Sequence, residues 1–221
     1  MTNASHPAVT LYLVRHGVAD GAAGRCIGHC DLALSREGRA SVARLAARWA
    51  APRAQRVIAS DLARARDSAA VLSDGWQLRE PMLIDARLRE MNFGVWDGRS
   101  WDEIERNDSA ALAEWMVEWQ HRSALGGESF GDVIARAGDW LSETVENARR
   151  DGVAEIVVVA HAGWIRGLLV HAVGMTADVV FRLRLDHAHV SAVRITGDAP
   201  RGPCSQAEIL FLNAEQITSA T

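Results

Sequence analysis

The chain has 221 residues, a formal net charge of −4 and a hydrophobic content of 48%, which is typical of one globular domain with an ample core. All 24 basic residues are arginine, because the sequence contains no lysine. This composition excludes Schiff-base chemistry on lysine, a P-loop lysine and a global basic field for nucleic acid. Any bound anion must be held by arginine, histidine, backbone amides or a metal.

The N-terminal residues contain neither a basic segment nor an apolar one, so the sequence predicts no signal peptide. The most apolar long stretch, 156–175, is interrupted by His161, Arg166 and His171, and it therefore does not predict a membrane span. The cysteines are Cys26, Cys30 and Cys204. Three cysteines are too few for a disulfide framework, and we expect a cytoplasmic protein that does not bind membranes.

In the first half of the chain, short apolar runs alternate with helical patterns. The run at 9–14 predicts a buried strand, and a loop with glycines follows at 21–31. Ser35 is the expected N-cap of a helix that reaches Trp49. The next elements are a strand at 56–59, a helix that Ser60 or Asp61 would cap and that continues through Leu72, an edge strand at 81–84 and a loop at 88–99.

The second half continues the alternation. Helices are predicted at 101–119, 129–150 and 162–173, and the most strand-like run of the chain is 155–160. Further strands that close the sheet are predicted at 181–185, 190–195 and 208–212. This order predicts an α/β fold around a largely parallel sheet.

In such sheets ligands bind at the carboxyl ends of the strands, so the residues that follow each strand are the site candidates. Arg15 and His16 follow the first strand, Arg64 lies in the first helical turn after the second, and His161 follows the strand at 155–160. Two arginines and two histidines are therefore expected at one edge of the sheet.

These residue types suit phosphate chemistry. Arginine forks match phosphate oxygens, and a helix start such as that of Arg64 favours an anion. A histidine fixed beside this site, such as His16, can attack phosphorus, while the second histidine and the arginines neutralise the equatorial oxygens. Glu90, in the loop after the edge strand, is the best-placed carboxylate to act as general acid and then general base.

Five segments resemble, in order and spacing, the motifs of the histidine phosphatase family, the phosphoglycerate-mutase-like group. They are 13–17 (LVRHG), 60–65 (SDLARA), 88–98 (LREMNFGVWDG), 127–129 (GES) and 159–163 (VAHAG). The resemblance implies a single domain over 1–221, folded as a three-layer αβα sandwich with a mostly parallel central sheet. It also implies a helical, lid-like insertion at about 92–127.

The resemblance implies His16 as the phosphorylated nucleophile of a metal-independent phosphomonoester hydrolase and Glu90 as its proton donor. Arg15, Arg64 and His161 would form the phosphate pocket. The additional candidate contacts to substrate are Gly17, Arg25, Ala162 and Glu128. No metal and no cofactor are expected.

The first motif departs from the family pattern, which continues with Glu-Thr and then an asparagine. Here Val18 and Ala19 follow, and no asparagine stands between His16 and Asn92. One phosphate contact is therefore missing, or it is replaced by a backbone amide of 21–24 or by Arg25. A degenerate phosphatase that only binds phosphorylated ligands is the alternative that this departure leaves open.

Three segments bear on the substrate. Residues 115–121, 126–130 and 181–186 resemble the alpha-ribazole phosphatases, which remove the 5′-phosphate of alpha-ribazole phosphate during assembly of the cobalamin nucleotide loop. Trp115 and Trp119 could then stack on an aromatic base. A broad-range small-molecule phosphatase is the alternative, followed by a phosphoglycerate mutase. The expected partner is a phosphorylated small molecule, and a homodimer is left open.

Two further motifs are weaker. Residues 127–131 (GESFG) match the nucleophile elbow of serine hydrolases, but 122–126 do not form the strand that this motif needs, so a serine esterase at Ser129 is a minor hypothesis. Cys26, His29 and Cys30 have the spacing of metal ligands, but structural zinc needs four ligands and no second pair is suitably spaced.

Overall fold

The computed structural model describes residues 7–50, 55–78, 80–197 and 207–217, so Cys204 lies outside the described residues. The strands are β1 (Val9–Arg15), β2 (Arg56–Ala59), β3 (Leu83–Ile84), β4 (Glu155–Ala160), β5 (Val190–Ile195) and β6 (Ala207–Ala214). The helices are α1 (Arg36–Ala47), α2 (Ala63–Leu72), α3 (Trp101–Glu118), α4 (Phe130–Asp151), α5 (Ala162–Val173) and α6 (Ala177–Val180). Short 3-10 turns occur at Ala86–Leu88 and Gly94–Trp96.

The six strands form one sheet in the order β3-β2-β4-β1-β5-β6. The pairs β1–β4, β2–β4 and β2–β3 are parallel, whereas β5 runs antiparallel to both of its neighbours. Arg15 lies opposite Ala160, and Ala59 lies opposite Val159. The carboxyl ends of β1, β2 and β4 therefore meet at one edge, which brings together the residues that follow them.

Helices cover both faces of the sheet, as the three-layer prediction requires. Alternate side chains of β1 and β4, including Leu13 and Val158, pack into the core under α4 and α5. The intervening side chains, such as Val14 and Val157, pack against α1 and α2 on the other face. Because both faces are covered, the central strands read as continuous apolar runs rather than alternating ones.

The helices differ in whether a side chain caps their first backbone amides. Ser35 caps α1, and Ser129 caps α4 in a reciprocal capping box with Asp132, so Ser129 has a local structural task. At α5 the N-cap is His161, and its side chain accepts no capping hydrogen bond. The first amides of α5 are thus available to groups at the carboxyl end of β4.

The predicted cap of α2 is wrong. The N-cap is Leu62, and Asp31 from the loop after β1 accepts a 2.6 Å hydrogen bond from the amide of Ala63. Ser60 and Asp61 have other partners, because Ser60 contacts His161 and Asp61 pairs with Arg89. Asp31, 32 residues before Ala63 in the sequence, therefore caps the helix in place of the neighbouring residues that the local pattern suggested.

The predicted strand at 181–185 is also wrong, because this segment is a turn that follows α6. The carbonyl groups of Leu183 and Leu185 accept hydrogen bonds from Arg166 and Arg15, at 3.0 and 2.5 Å. Guanidinium groups thus take the bonds that a neighbouring strand would make. The apolar residues that suggested a strand, such as Phe181, pack on aromatic side chains instead.

Helix α3 agrees with the predicted helix and contains one irregular residue. Asp108 has φ −131° and ψ 29°, and its carboxylate accepts hydrogen bonds from Trp96 (3.1 Å) and Arg99 (2.8 Å). These contacts tie α3 to the loop that carries Glu90. Of the helices within the described ranges, none combines the length and the apolar character that crossing a bilayer demands.

Candidate active site

The ring of His16 lies directly after β1, and only 7% of the residue is exposed. Its Nδ1 is 2.6 Å from the carbonyl oxygen of Gly17. A carbonyl can only accept, so Nδ1 carries the proton and Nε2 carries a lone pair. Arg64 agrees with this tautomer, because its Nε donates to Nε2 of His16 at 3.3 Å. His16 therefore presents an unprotonated nitrogen beside a fixed positive charge.

Arg64 lies in the first turn of α2, and its residue is 1% exposed. Its Nη1 donates to the carbonyl of Cys30 at 2.8 Å, and its Nη2 donates to that of Gly28 at 2.7 Å. The carboxylate of Asp97 in turn accepts hydrogen bonds from the amides of residues 28–30. The loop after the first motif thus orients Arg64, which the sequence did not predict.

Arg15, His16, Arg64 and Glu90 line one cavity of about 290 Å³. The remaining lining residues are Ala19, Ala22, Arg25, Ile27, Phe93, Trp101 and His187. The buried guanidinium group of Arg64, the half-buried one of Arg15 and a neutral imidazole therefore face the same space, which has the charge and donor types that a phosphate group requires. Arg25 stands in the wall of this cavity, and its Nη1 donates to the carbonyl of Gly98 at 2.8 Å.

The carboxylate of Glu90 is fixed against the start of α5. Its Oε2 accepts a hydrogen bond from the amide of Gly163 at 3.1 Å, and its Oε1 accepts one from the amide of Met91 at 2.9 Å. A Cβ at Gly163 would collide with Oε1 of Glu90, so glycine is required for this approach. The backbone carbonyl of Glu90 is held by His29 and Arg136, at 2.9 and 3.0 Å.

His161 is fully buried, and its ring centroid lies 4.8 Å from that of His16. Its Nε2 is 3.0 Å from the hydroxyl of Ser60 at the end of β2, whereas its Nδ1 has no hydrogen-bond partner. Burial lowers the pKa of both histidines well below the ordinary value of 6.5, and the charge of Arg64 lowers that of His16 further. Both rings are therefore neutral at pH 7.

Three expected substrate contacts have other surroundings. Glu128 is not in the wall of the cavity with His16; it pairs with Arg136 at 2.9 Å and accepts from the amide of Asn92 at 2.8 Å. Gly17 packs against α1, because a Cβ there would lie 2.6 Å from the carbonyl oxygen of Gly38. Ala162 lines a second cavity rather than the first.

The second cavity has a volume of about 650 Å³, and Glu90 and Phe93 belong to the walls of both cavities. Its wall is mainly aromatic and apolar, with a few charged side chains at one side. The remaining lining residues are Met91, Trp115, Met116, Trp119, Phe130, Ala162, Gly163, Arg166, Asp178, Phe181 and Arg182. Trp119 and Phe181 meet edge to face at 4.4 Å between ring centroids. The carboxylate of Glu90 thus belongs both to the cavity that contains His16 and to the aromatic cavity.

Among the described residues, no three histidine, cysteine, aspartate or glutamate side chains are grouped so that they could hold a metal ion. Of the residues with metal-ligand spacing, Cys26 is buried and the ring of His29 contacts the carbonyl of Glu90. These contacts account for both side chains in structural terms.

Lowering the pH from 7 to 5 is expected to destabilise the fold. The pKa values of His16, His161 and His187 lie below 6.5, mainly because of burial, so the unfolded chain binds more protons than the folded one below pH 6.5. Their stabilising contribution is complete above pH 6.5. It is lost as the pH falls toward the folded-state pKa of each ring, which is about 4 for His187, by at most about 1.4 kcal/mol per pH unit for each ring. Urea unfolding at several pH values measures the slope.

The control for this pH dependence is a pair of variants. His187→Asn removes one of the three rings with a lowered pKa and should make the slope shallower, whereas His121→Gln changes an exposed ring and should leave the slope as it is. A stability that is constant between pH 7 and 5 would contradict the assignment of neutral buried rings.

Three comparisons with known proteins bear on this site. The sequence profile of the Histidine phosphatase superfamily (branch 1) matches residues 11–203. The chain is 28% identical over 189 residues to the adenosylcobalamin/alpha-ribazole phosphatase of Salmonella typhimurium, covering 84% of this chain and 90% of that protein. It is 33% identical over 175 residues to the glucosyl-3-phosphoglycerate phosphatase of Mycolicibacterium vanbaalenii, covering 76% of each. The crystal structure of the alpha-ribazole phosphatase from Shigella flexneri superposes with a TM-score of 0.82 at 26% identity, covering 96% of this chain and 100% of that one.

Proposed function

The chain belongs to the histidine phosphatase superfamily (branch 1), and we propose that it hydrolyses phosphomonoesters through a phosphohistidine formed on His16. Its relatives make it a phosphatase that acts on phosphorylated small molecules. One observation carries the proposed intermediate: the lone pair of His16 Nε2 lies 3.3 Å from Nε of Arg64, in a cavity that Arg15 and Glu90 also line.

In the first step, the phosphate of the substrate binds between Arg15 and Arg64, which neutralise its equatorial oxygens. Nε2 of His16 attacks phosphorus, and the bond from phosphorus to the ester oxygen breaks. The protonated carboxyl group of Glu90 gives its proton to the leaving oxygen, so the alcohol departs neutral. The hydrogen bond from Nδ1 of His16 to the carbonyl of Gly17 stabilises the positive charge that the ring then carries.

In the second step, water attacks the phosphohistidine. The carboxylate of Glu90 takes a proton from this water, the bond between nitrogen and phosphorus breaks, and orthophosphate leaves. His16 and protonated Glu90 are regenerated, so the protons balance over the cycle. His161, fixed by Ser60 behind His16, completes the neutral and buried surroundings of the reacting ring.

For the substrate we propose alpha-ribazole 5′-phosphate. Support comes from the similarity to two alpha-ribazole phosphatases and from the aromatic cavity next to Glu90, which would receive the leaving group. Trp119 and Phe181 supply flat apolar surfaces, which suit a planar heteroaromatic base. The segment 92–127 contributes Trp115 and Trp119 to this cavity, and we propose that it acts as a lid over the base.

A second candidate function has its own supporting observation. Arg166 and Arg182 also line the aromatic cavity, and Nε of Arg166 is buried without a hydrogen-bond partner. A leaving group with a carboxylate, as in glucosyl-3-phosphoglycerate, would satisfy such groups. A broad-range phosphatase that accepts both kinds of ester is therefore the alternative to the narrow assignment.

We expect alpha-ribazole 5′-phosphate to give a kcat/KM about 10-fold or more above that of glucose 6-phosphate, because aromatic stacking contributes about 1–3 kcal/mol per base. The measurement is phosphate release over a panel that also includes glucosyl-3-phosphoglycerate. Trp119→Leu should remove most of this preference. Trp76→Leu is the matched control, since Trp76 packs on the opposite face of the sheet.

The panel separates the competing functions. Equal rates for all three esters would overturn the narrow assignment in favour of a broad-range phosphatase. A preference for glucosyl-3-phosphoglycerate that disappears in Arg166→Leu would indicate that the aromatic cavity binds a leaving group with a carboxylate. An absence of turnover on every ester, with orthophosphate still bound, would identify a degenerate phosphate-binding protein.

A further inference from the structure

The guanidinium group of Arg15 is held by two acceptors that come from one short segment before β5. Nη1 donates to the backbone carbonyl of Leu185 at 2.5 Å, and Nη2 donates to Nε2 of His187 at 2.9 Å. His187 also lines the phosphate cavity, and its ring meets that of His16 edge to face at 5.4 Å. The orientation of Arg15 therefore depends on a histidine at the cavity wall.

The identity of the donor fixes the state of this histidine. Arginine has only N–H donors, so Nε2 of His187 must be the acceptor and the proton must lie on Nδ1. A protonated ring has no acceptor and would also place a second positive charge beside Arg15. The contact is thus compatible only with a neutral ring in one tautomer.

The segment that carries His187 is itself anchored. The amide of Asp186 donates to Oδ1 of Asn213 on β6 at 2.7 Å, and Nδ2 of Asn213 donates back to the carboxylate of Asp186 at 2.9 Å. The amide of Ala188 donates to the backbone carbonyl of Arg15 at 2.9 Å. His187 is therefore fixed relative to β1 on both of its sides.

We propose that His187 is a positioning residue that acts through Arg15, holding its guanidinium plane toward the phosphate group of the substrate. The inference rests on the proposed function, because it takes the cavity of His16 as the phosphate site. The charged or titratable groups that face His187 are Arg15, Arg64 and Asp186, together with the ring of His16; the ring of His189 contacts the backbone carbonyl of His187. Burial, with Arg15 as the next cause, lowers the pKa of His187 to about 4, so the ring accepts from Arg15 at neutral pH.

The test compares two substitutions of similar size to the histidine ring. His187→Asn keeps an acceptor oxygen, whereas His187→Leu keeps volume and removes the acceptor. We expect His187→Leu to lower kcat/KM and weaken orthophosphate binding by about 10-fold to 100-fold, because the half-buried guanidinium of Arg15 loses a partner. His187→Asn should stay within about threefold of the wild type.

A matched control and a double-mutant cycle exclude a merely structural effect. His121→Leu alters an exposed histidine that is not in the cavity wall, and it should change neither quantity. In an Arg15→Ala background, His187→Leu should change orthophosphate affinity by less than about twofold, because the residue through which it acts is gone.

Three results would overturn the proposal: full phosphate affinity in His187→Leu, an equal loss in His187→Asn and His187→Leu, or the same loss with and without Arg15. Orthophosphate binding, measured calorimetrically, needs no turnover. If the wild-type protein hydrolyses no ester, the proposed function is wrong. The double-mutant cycle of His187 and Arg15 still decides the role of His187 in that case.

One measurement requires no variant, and it keeps the proposal testable if His187→Leu does not fold. Long-range ¹H–¹⁵N spectra of histidine-labelled wild-type protein, with His187 assigned through the well-folded asparagine variant, report the tautomer. A neutral ring with its proton on Nδ1 at pH 7 is the expected result. A charged ring, or a proton on Nε2, would overturn the proposal.

Discussion

Replacing His16 with alanine is expected to abolish the covalent phosphoenzyme and to lower kcat on the order of 10⁴-fold or more. The loss should be this large because none of the described residues offers a second nucleophile at the same place. His161 is the nearest other ring, but it is fully buried behind His16 and its Nε2 contacts Ser60. His187 lines the cavity, but its ring centroid lies 5.4 Å from that of His16, so its Nε2 does not occupy the same place.

The measurement is rapid quenching after mixing with a ³²P-labelled phosphomonoester. Wild-type protein should carry label that is stable to base and lost in acid, as expected for a phosphorus–nitrogen bond, and His16→Ala should carry none. His121→Ala, which alters an exposed histidine, should label like the wild type. Label that persists on His16→Ala would assign the nucleophile to another residue.

The same variant should still bind orthophosphate. Arg15 and Arg64 are oriented by carbonyl groups of other segments and by His187, and only one of their contacts, Nε of Arg64 to His16, is lost. Retained phosphate affinity together with lost turnover would separate the role of a nucleophile from that of a structural ring. Loss of both would show that His16 organises the pocket.

The elements that the sequence predicted correctly are those with a strong local signal. Strands β1 and β4 are apolar runs that both faces of the sheet bury, and Ser35 and Ser129 are the caps of the helices that follow them. The site followed from the fold, because residues after parallel strands must meet at one edge. The pairing of β1 with β4 and of β4 with β2 then brings Arg15, His161 and Ser60 together.

The predictions that failed concern partners that are distant in sequence. The segment 181–185 has the apolar pattern of a strand, but guanidinium groups of Arg15 and Arg166 bind its carbonyls. Leu185 is 170 residues from Arg15, and no local periodicity reports such a contact. The contact of His187 with Arg15 spans 172 residues of sequence and is likewise invisible to a local pattern.

Glu128 illustrates a different limit. Glu128 precedes the N-cap of α4 within a motif of the family, and it was one of the candidate contacts to the substrate. In the structure it pairs with Arg136, which donates in turn to the carbonyl of Glu90. Sequence order places Glu128 near the active loop, but it does not reveal whether the side chain faces the cavity or supports it from behind.

Replacing Glu90 with glutamine is expected to lower kcat by about 10²-fold to 10⁴-fold and to leave orthophosphate affinity nearly unchanged. Glutamine has the same shape and can still accept from the amide of Gly163, but it can neither give a proton to the leaving oxygen nor take one from water. The matched control is Glu143→Gln, whose carboxylate pairs with Arg87 outside both cavities.

The two proposed steps respond differently to this variant. An aryl phosphate with a weakly basic leaving group, such as 4-nitrophenyl phosphate, needs little protonation, so phosphorylation of His16 should slow less than it does with an alkyl ester. Hydrolysis of the phosphohistidine still needs a base, so Glu90→Gln should release a burst of nitrophenol and accumulate phosphoenzyme. A uniform slowing without a burst would contradict the second role of Glu90.

The position of the carboxylate can be tested separately from its chemistry through Gly163. A Cβ there would collide with Oε1 of Glu90, so Gly163→Ala must displace the carboxylate from the start of α5 while leaving its acidity intact. If Glu90 transfers protons from the observed position, Gly163→Ala lowers kcat, and adding it to Glu90→Gln has little further effect. An unchanged kcat in Gly163→Ala would mean that proton transfer does not depend on this placement, and the general acid would then have to be sought among the other residues that line the phosphate cavity.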